Sequence, residues 1–392
     1  MYTVISLGPI ENNSNGYSIR IGHLIKSLMR HGDVTLIEFH ISEPKGGGET
    51  EYSRVEYDAV LRNGKGRSML TRLITFNPFG QLKMQLVALK GIWRNRKLIR
   101  GSEAVFIEGA LFPSAIVLAK AMDKKVVLDT HCVNYKLGMD FKNHNRAAYA
   151  LRCITWGPLE YFAYKLSDKV VFVSDAEVDF SENALHLDRG KAIVIPNVLD
   201  IKPLTVTPEA VAKFKGQYGL NNKVVATFVG DLTSVQNKDC VDFILNQLAE
   251  KVEGRRKDIA FLIVGKGKES FQNHPGNVIF TGYVDDIDPV IAATDVFVAP
   301  LRVGAGTKTK VLLFMAYGVP ILTTEVGVEG ISVQGRDDIM VEELADFPAA
   351  LESFTAGDRS VRGSSTASAE AYSPEVMQSR VESLLKELNG NQ

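Results

Sequence analysis

The run PLRVGAGTKTKVLLFMAYGVP, from Pro300 to Pro320, holds the residues best suited to chemistry. Gly304 and Gly306 permit a tight turn and let backbone N–H groups come close to a ligand. Thr307 is a good N-cap and Gly318 with Pro320 a good stop, which predicts a helix over 308–317. A helix that starts at the end of a glycine loop offers unpaired N–H donors and the positive end of its dipole, and both attract anions. Arg302, Lys308 and Lys310 add cations, with no acid in the same run. The chemistry this predicts is capture of a diphosphate. A turn, a capped helix and solvated lysines would give the same loop. Lys310 stands out because it shares a helix face with Leu313 and Phe314 by i, i+3, i+4 spacing, whereas Lys308 points elsewhere.

The elements that must position this segment follow from short apolar runs alternating with amphipathic stretches, an α/β pattern. In the first half, strands are expected near 2–7, 33–39, 104–107, 125–129, 169–173 and 192–195. Helices fit at 17–30, 81–99, 111–122, 144–166 and 175–184. A second series places strands near 224–229, 259–264, 277–280, 295–299 and 319–323, with helices at 238–252, 286–293, 308–317 and 341–354. Two series mean two parallel sheets and two Rossmann-like halves, with a polar, turn-rich boundary over 197–222. The expected division is 1–198, 199–373 and a closing helix within 374–392. Ligands of open parallel sheets sit beyond the carboxyl ends of the strands, so the site is expected in a cleft between the halves.

Composition narrows the function. The chain has 392 residues, 45% hydrophobic and 23% charged, with a formal net charge of -1. That balance argues against a dedicated nucleic-acid binder. Cys132, Cys153 and Cys240 lie far apart and form no C-x-x-C pair, which excludes a disulfide framework and the common zinc spacings and points to a reducing, cytoplasmic setting. The start MYTVISLGPI has no secretory leader pattern, and no run is apolar and long enough to span a membrane. The stretch 59–102 contains ten Lys/Arg and no Asp/Glu, with Phe76, Phe79 and Trp93 among them. It predicts contact with an anionic membrane surface, a peripheral location on the inner face, against the plainer reading of core packing with a solvated basic side.

The run VGKG…NVIFTGYVDDI…ATDVFVAPLRVGAGTKTKVLLFMAYGVPILTTEVGVEGI, within about residues 224–332, resembles the donor domain of retaining family-four (group 1) glycosyltransferases of GT-B fold. VLDTHCVNY, DKVVFVSDAE and IPNVLD in the first half support the resemblance. It implies an α/β GT-B fold: two Rossmann-like domains facing across a cleft, with the C-terminal helix crossing back to the N-terminal domain. It also implies a UDP-, GDP- or other nucleotide-sugar on the C-terminal domain and a glycan or lipid-linked acceptor on the N-terminal one. Retention of configuration, with the donor phosphate taking the acceptor proton, follows from the same resemblance. So do independence of metal and of any cofactor beyond the donor, and a setting in surface polysaccharide biosynthesis.

Residue by residue, the resemblance puts Arg302 and Lys310 on the diphosphate beside the Gly304, Ala305, Gly306 and Thr307 backbone and Lys308. His131, after strand 125–129, would lie near the transferred sugar, while Asp129 reads as structural and Asn134 has an open role. Gly16 lies in the loop before a helix, and Arg20, one turn in, either faces the cleft or is a surface arginine. Gly230 ends a strand; Asp231 stands where relatives carry an arginine, and Lys238 is the stand-in for their lysine. Lys266 is on a further strand-end loop, and Tyr283 and Val284 would pass the base with backbone groups. Asp286 and Asp288 read as helix-capping residues rather than metal ligands. Two family glutamates are replaced by Ala305 and Leu313; leucine accepts no hydrogen bond, so the ribose would need backbone groups or Glu329. These departures keep two alternatives open: a catalytically degenerate partner subunit, and a nucleotide-sugar 2-epimerase of the same fold.

Overall fold

A computed structural model of the chain describes residues 1–6, 16–40, 53–58, 78–110, 112–140, 146–199, 203–272, 274–356 and 370–390. The chain divides into two compact units, Met1–Val198 with Ala305–Thr307 and Pro374–Gln392, and Leu199–Gly304 with Lys308–Ser373.

The first unit is built on a seven-stranded parallel sheet ordered β3-β2-β1-β4-β5-β6-β7. Its elements are β1 (Tyr2–Ser6), α1 (Gly16–Met29), β2 (Val34–His40), β3 (Ser53–Asp58), α2 (Pro78–Arg94), α3 (Arg96–Gly101), β4 (Ala104–Glu108), α4 (Pro113–Lys120), β5 (Lys125–Asp129), α5 (Asn134–Asp140), α6 (Arg146–Leu166), β6 (Lys169–Phe172), α7 (Asp175–Leu185) and β7 (Ala192–Val194). β1 and β4 are buried along their whole length, as strands covered on both faces must be. α1 buries Ile21, Leu24, Ile25 and Leu28, an i, i+3, i+4, i+7 stripe. Ser174 caps α7 by accepting the Glu177 N–H, and Asp175 and Glu177 favour its dipole.

The second unit has a six-stranded parallel sheet ordered β10-β9-β8-β11-β12-β13. It comprises α8 (Pro208–Gln217), β8 (Val224–Val229), α9 (Val235–Phe243), β9 (Ile259–Val264), β10 (Val278–Gly282), α10 (Asp288–Ala293), β11 (Val296–Ala299), α11 (Thr309–Ala316), β12 (Ile321–Thr323), β13 (Ile339–Val341) and α12 (Phe347–Ala356). α9 runs on through a π-helical stretch, Ile244–Ala249, into Glu250–Glu253. The last helix, α13 (Pro374–Gly390), packs on α1 of the first unit, burying Met377, Val381, Leu384, Leu385 and Leu388 at helical spacing.

Several local expectations change. Thr307 is not the cap of α11: Lys308 holds that position without a side-chain cap, and the helix begins at Thr309. The polar boundary over 197–222 contains α8, capped by Thr207 and started by Pro208. The helix expected over 81–99 is broken at Asn95, between α2 and α3. Edge strands β3 and β13 lie where no strand was expected: β13 is only three residues long, and the alternation of Val55 and Tyr57 with charged residues in β3 was missed.

Candidate functional site

In the second unit every strand is parallel, so the loops after β8, β9, β10, β11 and β12 open on one edge of the sheet. Those loops carry Gly230, Lys266, Tyr283 with Val284, Arg302 with Gly304, and Glu329. The edge is lined by backbone at close approach. A Cβ on Gly265 would stand 1.8 Å from the Gly230 carbonyl oxygen, and one on Gly230 would stand 2.9 Å from Lys310 Nζ. Gly265, at φ 143° and against backbone, admits only glycine, whereas a side chain on Gly230 would have to displace the Asn237 and Lys310 side-chain ends.

Lys310 is the chemically poised group of this edge. Its ammonium donates to Asn237 Oδ1 and lies 4.5 Å from the centre of the Phe228 ring. Burial lowers its pKa to about 8, and the nearby Lys308 charge adds to the shift. Among the described residues no carboxylate forms an ion pair with it. An ammonium has three donors, and this one spends a single hydrogen bond on a neutral partner. It is a cation still seeking an anion.

The other cations are placed differently. Arg302 is not free of acids: its guanidinium grips Asp239 with two hydrogen bonds, Nε to Oδ2 at 2.8 Å and Nη2 to Oδ1 at 2.6 Å. Asp239 lies sixty-three residues away in α9, beyond what the local run could show. Lys266 pairs with Asp231 at 3.0 Å, and Lys238 is an exposed residue of α9. The Lys308 stem passes beside Gly304, 3.0 Å from where a Cβ would be. Gly304 and Gly306 have φ of 153° and 74°, which fits their role as a turn around Ala305 and Thr307. Leu313 packs against the apolar core of this unit, so the position of the family glutamate serves the interior. Glu329 is half-buried in the turn after β12. Tyr283 is 71% exposed, and Val284 packs on the cluster around Leu220 and Leu262. Asp286 accepts the Asp288 N–H at 3.0 Å in the turn before α10, but Ile287 holds the N-cap position, so neither aspartate is the cap that was expected.

The carboxyl edge of the first sheet holds a charged network that sequence reasoning saw only in part. His131 follows β5 in a left-handed conformation, φ 55°, which is uncommon for a residue with a side chain. Its Nε2 is 2.6 Å from Glu108 Oε2 at the end of β4, and Tyr17 of α1 lies against its ring at 4.5 Å. Burial, together with the neighbouring Asp129 charge, raises the Glu108 pKa. Glu108 Oε1 is buried with no hydrogen-bond partner among the described residues. Arg20, only 1% exposed, is neither a cleft nor a surface residue. It grips Asp129 with two nitrogens and also donates to the Ile195 and Pro196 carbonyls. Ligand atoms of Glu108, Asp129 and His131 lie within 4.8 Å of one another. Arg20 already supplies the positive charge that a bound cation would bring there.

Two further acids hold the His131 loop by its backbone. Glu160 of α6 accepts from Asn134 N at 2.6 Å, Asn134 Nδ2 at 3.0 Å and Tyr135 N at 2.8 Å. Glu177 of α7 accepts from Val133 N at 3.0 Å. Asn134 therefore has a structural partner within its own unit. Burial pushes the Glu160 pKa up to about 7 despite these bonds. The available signal was a lone acid in otherwise apolar surroundings: Glu108 ends AVFIE, and Glu160 is the single acid of α6. Gly16 opens α1; the loop before it lies outside the described residues.

Comparison with known proteins matches both units. Residues 14–202 match the family model Glycosyltransferase Family 4, and residues 223–356 match Glycosyl transferases group 1. A curated relative, the Escherichia coli UDP-Gal:alpha-D-GlcNAc-diphosphoundecaprenol alpha-1,3-galactosyltransferase, is 26% identical over 204 residues. That match spans 48% of this chain and about half, 51%, of the relative. Among solved structures, sucrose-phosphate synthase from Thermosynechococcus elongatus agrees over 100% of this chain and 99% of its own, with TM-score 0.77 at 14% identity. Anabaena HepE, solved in complex with UDP and glucose, agrees over 98% and 99% with TM-score 0.66 at 12% identity. WaaG, a glycosyltransferase of lipopolysaccharide biosynthesis, covers 100% of both chains with TM-score 0.65 at 13% identity. With a family model on each unit and a fold shared end to end with these structures, the chain belongs to the group 1 glycosyltransferases of GT-B fold.

Proposed function

We propose that this protein transfers a sugar from a nucleotide-diphosphate sugar to a lipid-linked or glycan acceptor. The observation that carries the reading is Lys310: a desolvated ammonium, without a carboxylate partner, at the start of α11 and against the glycine-lined strand ends. Fixed cations and helix N–H groups stabilise a leaving diphosphate without reorganising during bond cleavage. UDP accompanies HepE, and a UDP-sugar and a diphospholipid acceptor are named for the Escherichia coli relative, which favours a uridine donor and a polyprenyl-diphosphate-type acceptor. The transfer is read as retaining and metal-independent, with the donor phosphate taking the acceptor proton and His131 near the sugar. Surface polysaccharide biosynthesis, at the inner face of a membrane, is the setting proposed.

Thermal shift with UDP-, GDP- and ADP-sugars, followed by transfer assays with labelled donor, tests this. Stabilisation by one donor and labelled product support it; no shift with any nucleotide sinks it. A second reading, a degenerate partner subunit, has its own support: Asp231 takes up Lys266, Asp239 takes up Arg302, and Leu313 has joined the core. Donor binding without turnover would favour that reading.

A further inference from the structure

Helices α2, α3, α4 and α6 form one layer over one face of the first sheet, with α4 between α2 and α6. Met84, Ala88 and Ile92 of α2, Ile99 of α3, Ala115, Ile116 and Ala119 of α4, and Ala163 and Tyr164 of α6 enter the same core beneath them. The outward side of that layer is also apolar. On α2, Leu82, Leu86 and Trp93 are exposed at i, i+4, i+11, a stripe well away from the buried one. On α6, Leu151, Ile154 and Phe162 are exposed at i, i+3, i+11, Ile154 to 68%. Val117 of α4 is exposed between them. A soluble surface scatters single apolar residues; a shared face of this kind marks a contact.

The charge of this face says what the contact is. The four helices together contain one acidic residue, Glu160, and it is buried beneath the His131 loop. Exposed cations border the stripes: Lys90, Arg94, Lys97, Arg100 and Lys165. Arg96 lies 5.0 Å over the Trp93 ring, so a cation rides on the most interfacial of the apolar side chains. In a chain with a net charge of -1, these four helices carry apolar and cationic groups outward and no exposed acid among their described residues. No helix among the described residues is long and apolar enough to cross a membrane. Shallow apolar insertion with phosphate-facing cations is the chemistry of an interfacial anchor.

We infer that the outward face of α2, α3, α4 and α6 docks on an anionic phospholipid bilayer, with Trp93, Leu86, Ile154 and Phe162 entering its surface. This goes beyond the basic stretch 59–102, of which 59–77 lies outside the described residues, because α4 and α6 supply four of the seven exposed apolar residues named. It rests on the proposed lipid-linked acceptor only for its purpose; the binding itself is independent of any donor.

The chain has two tryptophans, and Trp156 is buried, so Trp156→Phe leaves Trp93 as the single fluorescent reporter. Full-length protein is mixed with phosphatidylcholine vesicles, with and without phosphatidylglycerol. A blue shift and quenching by brominated lipid are expected with the anionic vesicles only. Ile154→Asp with Phe162→Asp should weaken partitioning by about ten-fold or more, through lost apolar insertion and added negative charge. Donor-induced thermal shift in these variants should remain, which separates failure of docking from failure of the transferase reading. Equal partitioning of variant and parent overturns the inference. So does absence of vesicle binding with dimers that the substitutions dissociate, which would give the face to a second copy.

Discussion

Arg20 and Asp129 form a two-pronged ion pair inside the first unit, Nε 2.9 Å from Oδ2 and Nη2 3.0 Å from Oδ1. The pair ties the start of α1 to the end of β5, and Arg20 also holds the chain after β7 through the Ile195 and Pro196 carbonyls. Both side chains are removed from water, so the pair gains little over an apolar substitute but is costly to break from one side. Arg20→Met should destabilise the protein by about 3–5 kcal/mol, read from urea unfolding. Adding Asp129→Leu should recover a large part of that loss; no recovery would mean that the carbonyl contacts matter more than the charge.

Lys310 makes donor binding depend on pH. Its pKa of about 8 means the free protein loses this charge just above neutrality. A bound diphosphate favours the charged form and raises the pKa, so binding takes up a proton above pH 8. UDP affinity should therefore fall as pH rises through 8, approaching about ten-fold per pH unit until the bound pKa is reached. Lys310→Met should bind about ten- to a hundred-fold more weakly and lose this slope. Calorimetry in buffers of different ionisation enthalpy reads the proton directly. A flat profile in the parent protein would place the phosphates elsewhere.

How far the sequence revealed this site depends on the range of the interaction. The parallel strands and the glycine turn were legible because apolar runs and φ requirements are local properties. Leu313 was legible as a missing acceptor, yet its packing against the core was not. Arg302 shows the limit: the local run has no acid, while Asp239 reaches it from α9. Arg20 shows the same limit from the other side. Its place one turn into α1 left a cleft-facing and a surface arginine equally open, and only the fold brings Asp129 to it, 109 residues away. Glu160 and Glu177 act on backbone N–H groups, which leave no trace in residue type.

Glu160 should give a pH-dependent contribution to stability. Its folded pKa, about 7, lies above the ordinary carboxylate value, so the folded state holds the proton more tightly. The associated stability is fully present below the ordinary pKa of 4.5 and is lost as pH rises through the folded value, by up to about 3 kcal/mol. Glu160→Gln removes the titration. The difference in unfolding free energy between parent and variant should change over that window and be flat above it. A constant difference at every pH would mean that the three N–H bonds offset desolvation and leave no net shift.

The Glu108–His131 dyad separates donor binding from transfer. With the proton on Nε2 given to Glu108, the ring presents Nδ1 as an acceptor, and Tyr17 fixes the plane against which it can swing. The Cys132 N–H donates to the Thr130 carbonyl at 2.6 Å across His131, closing a tight turn on it, and the Glu177 and Glu160 contacts hold the next residues of the loop. If Nδ1 meets a hydroxyl of the sugar or acceptor, His131→Ala should lower kcat by about a hundred-fold or more. Glu108→Gln keeps a hydrogen-bonding partner but loses the charge that orients the tautomer, and a loss nearer ten-fold is expected. KM for the nucleotide-sugar should change little in either variant, because Lys310 and the glycine-lined strand ends belong to the other unit. Initial rates over a donor series decide it: unchanged kcat in both variants would make the dyad a purely structural pair, and a raised KM alone would move it into donor binding.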